Sequence, residues 1–158
     1  MAEEYDLPRS KEYTALHEAG HAVVAGILGY TVSSIEIYPG KKAGAGNWDG
    51  HTEFSGERYH PWLAAISLSG LAVHMRRAGQ PMHFLQATYC AGYGGGGSEK
   101  DMQDARRHCR NAGTGYGLRW AWDFAKELTA DADTQIDGAA RKILAGKVTY
   151  PYPASEGQ

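Results

Sequence analysis

The residues with chemistry in them are His17, Glu18 and His21, in the run His17-Glu18-Ala19-Gly20-His21. Two histidines four positions apart lie one turn apart on one face of a helix. Their imidazoles can then converge on a single zinc ion at roughly 2.0–2.1 Å. Glu18 is rotated about 100° from His17 by the helical period. That sets its carboxylate beside the metal, where it can take a proton from water. Zinc lowers the pKa of such a water to about 7, so hydroxide is available at neutral pH. The pattern therefore points to metal-assisted hydrolysis, with His17 and His21 as ligands and Glu18 as general base. Gly20, between the histidines, costs a helix about 1 kcal/mol against alanine; close approach by another backbone or by substrate would account for it.

A catalytic zinc takes three protein ligands and leaves one position for water. The metzincin pattern would need Gly at 24 and His at 27, and Val24 and Ile27 exclude it. Carboxylate candidates downstream are Glu36, Glu53, Glu57, Glu99, Asp101 and Asp104; the other histidines are His51, His60, His74, His83 and His108. Two histidines and a carboxylate with open positions also suit iron(II), so zinc is an expectation from ligand type.

These groups need elements to hold them. Ser10 can cap a helix over residues 10–28 that Gly29 ends. Leu16, His17, Gly20, His21, Val24 and Ile27 share one face of it. Residues 31–38 (TVSSIEIY) read as a strand, 39–50 as a glycine-rich loop and 51–54 as a second strand. Pro61 opens a buried helix to about residue 77. A loop with Gly79 and Pro81 leads to the glycine-rich run 92–97, which has no phosphate-binding signature. Ser98 begins a helix to about 112, with Asp101 also placed to complete a capping box. A last helical region, 117–145, is one helix or two, and Gly138 is a position where it can break.

The chain has 158 residues, one domain's worth, and 42% apolar residues. Sixteen Lys and Arg against 18 Asp and Glu give a net charge of −2, so no basic field attracts nucleic acid or an anionic membrane. The longest apolar stretch, around 62–73, is too short to span a bilayer. The first ten residues are polar and acidic, unlike a signal peptide. Cys90 and Cys109 form no metal or disulfide pattern, and reduced thiols in a cytoplasmic protein are expected. Arg106, Arg107 and Arg110 read as a solvated helix face.

The run TALHEAGHAVVAGILGYTVSSIEIYP resembles the start of the protease domain of the FtsH family, the membrane-anchored, ATP-dependent zinc metalloproteases. Ser69-Gly70-Leu71-Ala72-Val73-His74 stands where that family has a Gly-Gly-Arg-Ala-Ala-Glu-like segment. Gly97-Ser98-Glu99-Lys100-Asp101 is similar to the Ser-Asn-Asp-Leu-like start of its ligand-bearing helix. The resemblance covers roughly residues 10–145. It implies Zn2+ held by His17, His21 and Asp101, with Glu18 as base; Asp104, three residues on along the same helix, is the alternative third ligand. Two departures stand out: Ser98 and Asp101 are one residue further apart than is usual, and His74 replaces an acid.

The implied fold is α+β, a mostly helical metallopeptidase-like domain with a small two- or three-stranded sheet beside the HExxH helix. Residues 1–9 are expected as a flexible arm, 10–147 as a single zinc-peptidase-like domain and 148–158 as a tail. No GxxxxGK[ST] loop occurs, so an ATP-independent, stand-alone domain without membrane insertion is expected. The implied function is a zinc endopeptidase acting on flexible or unfolded polypeptides, held as an added strand along a sheet edge. A general protease and one dedicated to a single partner both fit. The alternative is a non-catalytic zinc-binding module that captures peptides or a partner protein. A homo-oligomer is compatible with either, since the family's rings depend largely on the ATPase part.

Overall fold

In the computed structural model, residues 5–40, 47–93, 97–113 and 115–153 are described. Helix α1 spans Lys11–Ile27, and the Ser10 hydroxyl accepts from the Tyr13 amide at its start. Gly29 leaves it with φ +88°, a left-handed value that glycine adopts without cost. Strands β1 (Thr31–Pro39) and β2 (Trp48–Ser55) follow, then α2 (His60–Arg77), α3 (Phe84–Tyr93), α4 (Gly97–Ala112), α5 (Leu118–Asp131) and α6 (Asp133–Leu144). The fold is α+β, mostly helical, with a two-stranded antiparallel sheet. The register pairs Ile35 with Thr52 and Ile37 with Gly50, with an irregularity between Val32 and Ser34. No described helix is long and apolar enough to cross a membrane.

Helices α1 and α2 form the centre. Ala15, Ala19 and Ala22 on α1, and Ala64, Ala65 and Ala72 on α2, are fully buried. Alanine adds little bulk between helix axes, so the two backbones come close. Gly20 tightens the crossing further: a Cβ there would stand 2.8 Å from Val73 Cγ2 and 2.9 Å from the Ser69 carbonyl oxygen. The glycine is therefore explained by a neighbouring backbone. Leu68, Leu71, Met75, Cys90, Met102 and Trp122 pack on one side of α2. Ala15, Val23, Val73, Ile136 and Ile143 pack α6 against α1.

The structure differs from the sequence reading in five places. Strand β2 starts at Trp48, three residues early, because the Trp48 amide donates to the Arg9 carbonyl at 2.8 Å and the Trp48 carbonyl accepts from Thr14. Helix α3 occupies what read as loop. Its buried face is made of small residues, Ala87, Cys90 and Ala91, while Leu85 and Tyr89 are exposed, so no strong period marks it. The last helical region breaks at Ala132, and Gly138 lies inside α6. The bend sits where the apolar stripe changes partner, from the α2 cluster around Trp122 to the α1 cluster around Ile136.

Residues 5–9 are docked where a flexible arm was expected. Leu7 is buried, the Pro8 carbonyl accepts from His74, and Arg9 pairs with Asp49. Of the expected tail, the described residues 149–153 are tied down. Tyr152 exchanges backbone hydrogen bonds with Val32 at 2.8 and 3.0 Å, adding a bridge to the free edge of β1. Residues 41–46 and 94–96, within the two expected glycine-rich loops, lie outside the described residues.

Candidate metal centre

The inward face of α1 carries His17, Glu18 and His21, all buried. The imidazoles are 4.9 Å apart, inclined at 71°, as one-turn spacing requires. Asp101, on the second turn of α4, brings Oδ2 to 2.8 Å from His17 Nε2 and 3.0 Å from His21 Nε2. Among the described residues, this is the group of three whose ligand atoms lie within 4.8 Å of one another. Asp104, the other candidate, turns aside to pair with Arg107 at 2.9 Å. Glu36, Glu53 and Glu57 are exposed, and His83 accepts the Gln86 amide.

The surroundings fix the orientation of these groups. His21 Nδ1 lies 2.8 Å from the Ile66 carbonyl of α2. A carbonyl only accepts, so Nδ1 carries the proton and donates it. His17 Nδ1 faces His74 Nδ1 at 3.4 Å. Gly70 makes room for both rings: a Cβ there would come within 2.5 Å of His21 Nε2 and 2.6 Å of His17 Nε2. Glu18 is held from the other side. The Thr52 hydroxyl donates to Glu18 Oε1 at 2.8 Å, and a Cβ on Gly50 would stand 2.6 Å from Glu18 Cγ.

Two nitrogens and one carboxylate oxygen, converging with room left on one side, fit a tetrahedral zinc with an open position. Ligands about 2.0–2.1 Å from such an ion stand about 3.4 Å apart, so the two nitrogen–oxygen distances would open by a few tenths of an ångström to hold it. Without a metal the three form a charged cluster. Burial pulls His21 down, but the Asp101 charge and hydrogen bond, with the Glu18 charge, raise it to about 9. Burial would raise the Asp101 carboxyl, but protonated His21 and the hydrogen bonds from both histidines hold it well below the usual carboxylate range. His74, desolvated and next to His17, is lowered to about 3 and stays neutral.

The cluster opens on a cleft of about 720 Å³ between β2 and α4. Asp49, Gly50, His51, Thr52 and Phe54 of β2 line one wall, and Glu99, Lys100, Asp101, Asp104 and His108 of α4 the other. No protein-family model matches the chain, and no curated protein matches it.

Four contributors were not singled out from the sequence: Thr52, Gly50, the Ile66 carbonyl and the Pro8 carbonyl. The first two share a strand face at period two, which is a usable signal once that strand is known to lie beside Glu18. The carbonyls carry no residue-type signal. His108 lines the cleft and contacts His60 at 3.1 Å. The three arginines are exposed on α4, as a solvated face requires.

Proposed function

We propose that the protein is a zinc-dependent endopeptidase, with a protease domain of the FtsH type, cutting flexible or unfolded polypeptides. The observation that carries this reading is the approach of His17 Nε2 and His21 Nε2 to within 3.0 Å of Asp101 Oδ2, beside a Glu18 carboxylate in the same cleft. A zinc ion held by His17, His21 and Asp101 would supply a Lewis acid that polarises a carbonyl and makes water acidic near neutrality. Glu18 takes the proton from the attacking water and passes it to the leaving amine. Thr52 keeps that carboxylate in place, and Gly50 leaves it space.

Strand β2 has β1 on one side and the cleft on the other. An extended substrate pairs along that edge as a further strand, which selects unfolded chain over folded protein. The test is Glu18→Gln with unstructured peptides as substrate. About one zinc per chain is expected to remain, and cleavage to fall by about 10²–10⁴-fold, the contribution of a general base. Cleavage that survives in the variant removes Glu18 from the chemistry. Zinc and peptide binding without turnover in the wild type would leave a peptide-capturing module instead.

A further inference from the structure

Buried His74 has a ring nitrogen against a backbone carbonyl at one end and against a histidine at the other. Nε2 meets the Pro8 carbonyl, and Nδ1 meets His17 Nδ1 at 3.4 Å. Only 5% of His74 is exposed, so water cannot substitute for either partner. The ring is clamped in that orientation. Tyr13 stacks on it at 5.4 Å between centroids, and the Tyr13 hydroxyl donates to the Arg77 carbonyl at 3.3 Å.

We propose that His74 is a positioning residue for the metal ligand His17, with its own tautomer set by the Pro8 carbonyl of the N-terminal segment. This rests on the zinc reading above. The Pro8 carbonyl can only accept, so His74 Nε2 carries the hydrogen. A neutral imidazole has one N–H, so His74 Nδ1 presents a lone pair. Once a metal sits between His17 and Asp101, His17 Nδ1 donates to that lone pair, and the lone pair of His17 is left on Nε2 for the metal. The opposite arrangement, with the hydrogen on His74 Nδ1, would set that N–H against His17 Nδ1 and move the His17 proton to Nε2. It would also leave the buried Pro8 carbonyl facing a lone pair. Metal-ligating histidines commonly donate their other N–H to a carboxylate or carbonyl. For His21 the Ile66 carbonyl does this; for His17 a second histidine does it, with a carbonyl behind it.

The segment carrying Pro8 is tied down elsewhere. Leu7 is buried among α2, α3 and α4, and the Arg9 carbonyl accepts from Trp48 at the start of β2. Residues 7–9 therefore join one ligand of the proposed metal to the strand that bounds the cleft.

The experiment compares wild type, His74→Phe and His74→Gln. Phenylalanine keeps a ring under Tyr13 but accepts nothing. Glutamine offers one acceptor and a donor, so it can serve both partners. Zinc affinity is measured by competition with a chelator, folding by far-ultraviolet circular dichroism and melting, and imidazole tautomers by long-range proton–nitrogen NMR. His74→Phe is expected to fold and to bind zinc about 10–100-fold more weakly. His74→Gln is expected to stay within a few-fold of wild type. In the zinc-loaded wild type His74 is expected as the Nε2–H tautomer. Folded His74→Phe binding zinc as wild type does, or an Nδ1–H tautomer at His74, overturns the proposal alone. Should His74→Phe fail to fold, the tautomer and the His74→Gln affinity decide, and a folded His74→Gln that loses zinc overturns it. Wild type that binds no zinc overturns the metal reading itself.

Discussion

Gly70 passes beneath His21 with no space between them: a Cβ on Gly70 would stand 2.5 Å from His21 Nε2. Alanine is the better helix former by about 1 kcal/mol, yet here it has nowhere to go. Gly70→Ala is expected to push both imidazoles off their positions, destabilise the fold by about 1–3 kcal/mol and weaken zinc binding at least tenfold. Gly138→Ala is the control. It lies inside α6 with nothing within 4 Å of the added carbon, and should raise stability by about 0.5–1 kcal/mol. Zinc titration and thermal melting of both variants check the pair. Normal zinc affinity in Gly70→Ala would mean that α1 and α2 can part at the site without loss.

Thr52 reaches the site through Glu18, by a 2.8 Å hydrogen bond. Thr52→Val keeps the β-branched shape and removes the donor. Peptide cleavage is expected to fall by about tenfold, in keeping with loss of one hydrogen bond to a charged group of about 1.5 kcal/mol, with zinc content unchanged. Steady-state kinetics beside metal analysis measures this. Loss of zinc in Thr52→Val would place Thr52 among the groups that shape the metal site.

The metal-free protein carries a pH signature. His21, at about 9 in the fold, stands above its unfolded value of about 6.5. Its stabilisation is complete below about pH 6.5 and is lost as pH rises through about 9. Asp101 is held below its unfolded value of about 3.9. Its contribution is present above that value and lost as pH falls further. His74 acts in the opposite sense to His21. Its folded value of about 3 means that the unfolded chain takes up the proton first, so acid weakens the fold below about pH 6.5. In urea titrations with chelator present, the margin of wild type over Asp101→Asn is expected to be largest near about pH 5–6 and to shrink towards pH 9. A margin that grows with pH would contradict the His21–Asp101 pairing. Zinc loading near neutrality should also release protons, because the metal takes the nitrogen that held one.

The end of the described chain is structural. Tyr152 bridges Val32, and the Tyr150 hydroxyl accepts the Ile35 amide at 2.8 Å. Tyr152 also packs beside Ile35 and against the clusters around Val23 and Val32. Tyr152→Ala is expected to cost about 1–2.5 kcal/mol, roughly half the penalty of a fully buried aromatic. That lowers the melting temperature by about 3–8 °C. Zinc content should not change, since β1 stands between the tail and the cleft. An unchanged melting temperature would show that the bridge adds nothing.

The HExxH helix was the most legible part of the chain. Its cap, its end at Gly29 and its inward face all follow from local rules, and the structure repeats them. Gly20 was legible as a close-approach position, though only the fold says that Ser69 and Val73 are what approach. Asp101 and Asp104 were not separable by residue type. They are three residues apart on one helix, and a rotation of α4 decides between them. That rotation is set by Met102 and Ala105 packing inward, a tertiary fact. Helix α3 was missed because its buried side is built of alanine and cysteine, which carry little hydrophobic signal. The break at Ala132 was missed because nothing in Ala132 stops a helix; two separate clusters pull the chain in two directions there. The roles of Thr52 and His74 depend on contacts with residues 34 and 57 positions away, beyond the reach of any local pattern.

Metal content per chain, measured on wild type and Asp101→Ala side by side, tests the three-residue centre most directly. About one zinc in wild type and far less in the variant is the expected result. Equal zinc in both would leave Asp101 outside the ligand set. No zinc in wild type, even after loading, would contradict a metal centre at His17, His21 and Asp101.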